Sequence, residues 1–179
     1  MSEKIRESDY YPIVSNWLKG WYWKEKYNET IKEGLKLKIK NEPLVEFDVV
    51  GGFRDAGNKI RLYSVEVKID NSFDTLLQQA KIRQQYCHHC WIAHSLKNSA
   101  NFMYHVIMKG EYLLERGIGV LLIDIKNQRV TQCLETRISK NKYVKPLFKN
   151  KLIAKLGLNQ LEFLEIVETK QIILEGEEI

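Results

Sequence analysis

Cysteine is scarce: the 179 residues hold three, Cys87, Cys90 and Cys133. An odd number gives no disulfide framework, which fits a reducing compartment, and three thiolates fall short of the four that hold an iron–sulfur cluster. Cys87-His88-His89-Cys90 is rich in zinc-ligand types, yet no second Cys or His pair stands at matching spacing. These residues are therefore expected to end a helix and begin a buried strand, with Cys90 as a small apolar residue. His94 and His105 lack a recognisable partner and default to structural roles. No apolar run approaches transmembrane length, and Met1 to Asp9 is polar and charged with no apolar signal region, so the expectation is a soluble, cytoplasmic protein. Internal repeats and low-complexity linkers are absent. A Gly-rich phosphate loop ahead of Val65-Glu66-Val67-Lys68 is also missing, which removes the kinase reading of that strand. What remains is a chain of one-domain length with apolar content sufficient for a core.

Positive charge is present in excess, +5 net with a pI near 9.0, and it is unevenly placed. Thr136 to Lys155 carries Arg137, Lys140, Lys142, Lys145, Lys149, Lys151 and Lys155 with no acid among them, whereas Glu162 to Ile179 is acidic. A second row, Lys36, Lys38 and Lys40, alternates with Leu35, Leu37 and Ile39, the pattern of a half-buried strand. Both rows suit phosphate contacts; a solvated face, or lysines that discourage edge-to-edge pairing of strands, explains them equally well.

The informative segment is Phe47 to Lys68. Alternation from Val45 sends Val45, Phe47 and Val49 to one face and Glu46, Asp48 and Val50 to the other; Tyr63, Val65 and Val67 oppose Ser64, Glu66 and Lys68 in the same way. Gly51-Gly52 and Asp55-Ala56-Gly57-Asn58 read as turn chemistry, so the two runs form an antiparallel hairpin with Asp48 opposite or nearly opposite Glu66. Two carboxylates and an ammonium then converge. Such a group suits Mg²⁺, which takes few carboxylates plus waters and substrate phosphate, and the lysine can position water or neutralise developing charge.

Asp48, then Glu66-Val67-Lys68, resembles the signature of the PD-(D/E)XK phosphodiesterase superfamily, with Phe47 in place of the proline. The resemblance covers roughly Glu7 to Leu134 and includes the Holliday-junction-resolvase-like branch. It implies a restriction-endonuclease-like α/β fold, a mixed central sheet flanked by helices on both faces, and a metal-dependent DNA endonuclease. By that resemblance Asp48 and Glu66, helped by the Val67 carbonyl, hold one or two Mg²⁺ or Mn²⁺ ions. Lys68 orients the attacking water, and a glutamine on the following helix supports it, Gln79 fitting best and Gln78 second. An acid on the first helix joins the metal site, Glu7 first and Asp9 second. The partner implied is DNA, branched or duplex, and a homodimer, because two strands are cut by two sites. The alternative on the same fold is a catalytically inactive nucleic-acid-binding module; a structural protein with ordinary surface charges is the third class.

Around this segment the spacing predicts a helix from Asp9 to Gly20, strands over Trp21–Tyr27 and Leu35–Ile39, and a helix from Phe73 to about Tyr86 with Gln78, Gln79, Arg83 and Gln84 on its less apolar side. A strand over Cys90–Ala93, a helix from Asn98 or Ser99 to Gly117, a buried strand Ile118–Ile125 and its partner Val130–Leu134 follow. Leu147–Leu158 and Leu161–Val167 are expected to be helical. Residues 1–135 are read as the nuclease-like core and 136–179 as a basic segment and helical appendage packed on the same domain.

Overall fold

The structure is a computed structural model that describes residues 5–21, 25–70, 72–138 and 143–158. Lys140, Lys142 and the expected helix Leu161–Val167 lie outside the described residues. A short 3-10 turn, Glu7–Tyr10, leads into α1 (Tyr11–Trp21), followed by β1 (Tyr27–Leu37), β2 (Val45–Arg54), β3 (Ile60–Lys68) and α2 (Phe73–Arg83). Then come β4 (His89–Ser95), α3 (Ser99–Met108), α4 (Gly110–Arg116), β5 (Ile118–Asp124), β6 (Arg129–Leu134) and α5 (Pro146–Leu156).

The strands form one six-stranded sheet in chain order, β1 to β6. The β1–β2, β2–β3 and β5–β6 pairs are antiparallel; β3–β4 and β4–β5 are parallel. Each parallel pair is bridged by helix, as parallel neighbours require. α1 covers one face through Ile13, Val14 and Leu18, which meet Val65, Val67, Trp91 and Leu121. The other face carries α2 to α4 through Phe73, Leu76, Ala80, Phe102 and Leu113, and α5 through Phe148, Leu152 and Leu156. This is the restriction-endonuclease-like α/β architecture: a mixed sheet between helical layers.

Several local expectations are corrected. α1 runs through Gly20 to Trp21, so Trp21 is helical, and it packs its ring edge-on to Trp91 at 4.5 Å. Of the two expected early strands the first is not found as such: β1 begins at Tyr27, takes in Leu35 to Leu37 of the second, and pairs with β2. Gly51 and Gly52 do not turn the chain; they lie inside β2, where a Cβ on Gly51 would stand 2.6 Å from the Tyr63 ring and one on Gly52 2.7 Å from Leu62. Glycine is needed there for close packing. The turn is Asp55–Asn58 alone, tied by Asp55 Oδ1 accepting from the Gly57 and Lys59 N–H groups. The long third helix is broken at Lys109 into α3 and α4, and α2 stops at Arg83.

One correction bears on the site. Val45 and Phe47 belong to the α5-side core, but Val49 belongs to the α1-side core and Val50 again to the α5 side. Strict alternation therefore fails at Asp48. β1 changes face opposite it: the Glu33 carboxylate meets Ser15 of α1, whereas Leu35 and Leu37 pack on the α5 side. Between them Gly34 takes φ +59°, a conformation that costs glycine little.

Candidate active site

The β2–β3 pairing runs from Arg54 and Ile60 down to Val49 and Val65 and stops there. Beyond that point β2 continues to Val45 against β1, and β3 continues through Lys68 against β4. The sheet forks. At a fork, backbone groups that would have paired across the two strands need other partners. The Val67 N–H donates to Asp48 Oδ2 at 2.7 Å, and the Glu46 carbonyl accepts from Arg83 Nη2. Two charged side chains thus finish the hydrogen bonding of the sheet at its split.

Asp48 Oδ1 accepts from the Tyr11 hydroxyl at 2.7 Å. Burial pushes the Asp48 carboxyl above its ordinary pKa, while the Val67 N–H, the Tyr11 hydroxyl and the Lys68 charge pull it part of the way back. Tyr11 is in turn held in its neutral, donating form by burial and by the Asp48 charge.

Lys68 reaches Glu7 on the turn before α1, whereas Glu66, one register step past the last β2–β3 pair, turns with Ser64 toward the other helical layer. The Glu66 side chain is 1% exposed, and both oxygens are taken by Arg83: Nε donates to Oε1 at 2.8 Å and Nη2 to Oε2 at 3.0 Å. Burial drives the Glu66 pKa up, to about 8, against the pull of the Arg83 guanidinium, with the Asp48 charge pushing in the same direction as burial. Arg83 also lies over the Phe47 ring, 5.1 Å from its centroid. The expectation that Arg83 and Gln84 stand on the wetter side of α2 is wrong: both are buried. The clue was available, since Arg83 continues the apolar stripe of Phe73, Leu76, Leu77 and Ala80. A cation on such a stripe needs a buried anion.

Lys68 Nζ reaches Glu7 at 3.1 Å and 2.9 Å to the two oxygens. Burial alone would lower the Lys68 pKa, but Glu7, Asp48 and Asp70 together outweigh it and raise it. Of the two N-terminal acids, Glu7 is the one at the fork; Asp9 instead accepts from the Arg6 N–H at 2.7 Å. Of the two glutamines, Gln78 is exposed, whereas Gln79 lies on the wall of the cleft with its Oε1 buried and without a hydrogen-bond partner among the described residues.

A cleft of about 600 Å³ opens at the fork. Glu7, Tyr11, Asp48, Gln79 and Arg83 line it, with Glu46 and Phe148 at its sides. Glu66 does not line it and sits behind Arg83. Among the described residues no three Asp, Glu, His or Cys side chains stand close enough to ligate a metal ion as placed. The donor chemistry nevertheless suits a hard divalent cation. Carboxylates and a backbone carbonyl are oxygen ligands, Asp48 and Glu66 are both raised by burial, which extra positive charge relieves, and the Gln79 oxygen lacks a donor. In the charge-paired arrangement, Lys68 and Arg83 supply that positive charge themselves.

The basic residues divide. Lys36, Lys38 and Lys40 are exposed on and just after β1, Lys36 within 3.4 Å of Glu46 and Lys38 donating to the Glu42 carbonyl at 2.6 Å. Lys145 is exposed beside Phe148. Arg137 is exposed beyond β6, its N–H on the Gly117 carbonyl, in a part of the chain that does not line the cleft. The Cys-His-His-Cys run forms no ligand set: Cys87 and Cys90 enter the α5-side core, His88 Nδ1 accepts the Leu62 N–H at 2.9 Å, and His89 packs on Trp21 at 5.1 Å.

No family model matches the chain, and no curated protein matches it. Among solved structures it is similar to the SPO1766 protein of unknown function from Silicibacter pomeroyi, at 13% identity over 94% of this chain and 96% of that one, with a TM-score of 0.54. This is a likeness of fold. Weaker similarities are to an XisH family protein from Nostoc punctiforme (14% identity, 71% and 99% covered, TM-score 0.44) and to an fdxN element excision controlling factor protein from Anabaena variabilis (14%, 71% and 98%, TM-score 0.43). No helix among the described residues is long and apolar enough to cross a membrane.

Proposed function

We propose that this protein is a divalent-metal-dependent DNA endonuclease of the PD-(D/E)XK kind. The observation that carries the reading is the fork. Residues from four separate segments, Glu7, Asp48, the Glu66–Lys68 strand end and Gln79, lie around the point where β2 and β3 part, and Glu7, Asp48 and Gln79 line the open cleft there. Asp48, Glu66, the Val67 carbonyl and Glu7 would hold Mg²⁺ or Mn²⁺. When bound, such an ion polarises a phosphoryl oxygen and makes water more acidic.

The chain's own groups do the rest. Lys68, released from Glu7, orients the attacking water and offsets charge growing on the phosphoryl oxygens. Gln79 Oε1, which accepts from no donor among the described residues, would take a hydrogen bond from that water. Tyr11 and the Val67 N–H fix the Asp48 carboxylate, so its orientation is set before substrate arrives. The Arg83 guanidinium opposes the burial that raises the Glu66 pKa, pulling it part of the way toward the ionised form that metal binding requires. One such site per chain cuts one strand; cleavage of both strands of a duplex or junction calls for a homodimer.

A second reading has its own observation. Both Glu66 oxygens are engaged by Arg83, which favours a nucleic-acid-binding module on the same fold that does not hydrolyse. The deciding experiment incubates supercoiled plasmid and a branched DNA with the parent, Asp48→Asn and Lys68→Ala, in Mg²⁺ or Mn²⁺ and in EDTA. Cleavage by the parent that EDTA abolishes, and that both variants lose by at least a hundred-fold, is the expected result. Cleavage kept by both variants removes this mechanism, and binding with no cleavage under any condition selects the module.

A further inference from the structure

A second groove, of about 510 Å³, runs beside the cleft between the edge strand β1 and helix α5. Four of its seven lining residues are lysines, Lys36 on β1, Lys38 just after it, and Lys151 and Lys155 from α5, and none is acidic. The α5 pair is one helical turn apart and so faces one way. Leu44, an exposed side chain, lines both this groove and the cleft, so the two adjoin there.

Four ammonium groups around one trough repel one another. Lys36 has an exposed carboxylate at 3.4 Å and Lys38 a carbonyl at 2.6 Å, both outside the groove wall. Protection of a sheet edge accounts for lysines on β1, but α5 is a helix with no unpaired edge, and its two lysines face the same trough. A repulsive cluster drawn from two elements over a hundred residues apart is what a polyanion stabilises, by exchanging its condensed counterions for fixed charge.

We infer that Lys36, Lys38, Lys151 and Lys155 form a track for a nucleic-acid phosphate backbone that leads over Leu44 into the cleft. This rests on the reading of the cleft as a nucleic-acid site. It adds a partner surface in which α5 is part of the binding apparatus and Arg137 is not. A separate basic groove, lined by Arg54, Lys59, Arg61, His88 and Lys149, lies on the other flank of α5 and serves as the internal reference.

The test is binding of a fluorescent DNA duplex, followed by anisotropy in EDTA from 50 to 300 mM salt, so hydrolysis plays no part. Three double variants are compared: Lys36→Gln with Lys38→Gln, Lys151→Gln with Lys155→Gln, and Lys59→Gln with Lys149→Gln. Each track pair is expected to weaken binding roughly ten-fold or more at low salt and to flatten the log–log salt slope by about two, at about 0.9 for each phosphate no longer neutralised. The reference pair is expected to match the parent. Parent-like affinity and slope in both track pairs, an equal loss in the reference pair, or no binding by the parent overturns the track. Plasmid cleavage by the same proteins reads the other proposal separately. A working track without cleavage sinks hydrolysis alone, and cleavage with indifferent track variants sinks the track alone.

Discussion

Two parts of this molecule are rich in metal-ligand residue types, and they behave in opposite ways. The Cys87–Cys90 corner has four such residues in a row, yet its side chains disperse: the thiols enter the α5-side core, the His88 ring caps a backbone N–H, and the His89 ring joins the tryptophans on the other face. At the fork, acids separated by tens of residues come into one neighbourhood, each held by a hydrogen bond to β3 or a cation, although among the described residues no three stand close enough to ligate a metal. Adjacent residues in or entering a strand point to opposite faces, so density in sequence works against convergence there. A break in strand pairing does the reverse, because it leaves backbone groups and space that distant side chains can share.

The buried pair at the fork is where the contrast is most exposed to test. Arg83→Ala leaves the Glu66 carboxylate enclosed without its partner and should lower unfolding stability by about 3 to 5 kcal/mol in urea, whereas replacing both residues by methionine should recover most of that loss. A single-variant loss below about 1 kcal/mol would mean that water or another cation takes over from Arg83, and the fork would not be the closed arrangement described.

The corner predicts an acid effect of similar size. Burial, with the nearby positive charges of Lys149 and Arg61, holds the His88 pKa down to about 4, and burial, with His88 beside it, holds His89 down to about 3. In the unfolded chain both titrate near 6.5, so between these values the unfolded state binds more protons and folding stability falls as pH falls. The loss should begin near pH 6.5 and amount to roughly 3 kcal/mol from His88 by pH 4. His88→Gln should flatten the pH 6.5 to 4 limb of a stability profile; an unchanged limb would place the acid sensitivity elsewhere.

Metal dependence gives the slightest signal of the three and separates the two regions most directly. Because the side chains of the corner disperse, exhaustive dialysis against EDTA should leave the thermal midpoint of the metal-free protein within about 1 °C and release no stoichiometric zinc. At the fork, by contrast, Mg²⁺ or Mn²⁺ in excess should raise the midpoint by mass action, and Asp48→Asn should cancel the rise. A zinc-dependent midpoint would reverse the assignment of the two regions.

Much of the site was legible. Alternation along β3 placed Ser64 and Glu66 on one face, and the amphipathic stripe of α2 placed that helix on the sheet. Both rest on local periodicity, which a strand or helix expresses wherever it sits. Asp48 was legible as a residue but not as a geometry, because the strand changes face at that point in concert with Gly34 of its neighbour, a coupling that exists only between paired strands. Tyr11 and Arg83 were missed as partners of the two carboxylates: each looked like an ordinary member of its helix, and only docking onto the sheet revealed what it touches. Gln79 was preferred to Gln78 only by resemblance; the rotation of α2 on the sheet is what puts Gln79 on the cleft wall and leaves Gln78 exposed.

The order of residues thus dictates most of the strands and helices and which side chains of β3 share a face, because those follow from backbone periods of two and 3.6. Where β2 and β3 part, which cation holds which carboxylate, and that lysines of β1 and α5 face one trough emerge only in the folded chain. Those depend on contacts between segments distant along the chain, whose relative placement is set by how the two helical layers pack against the sheet.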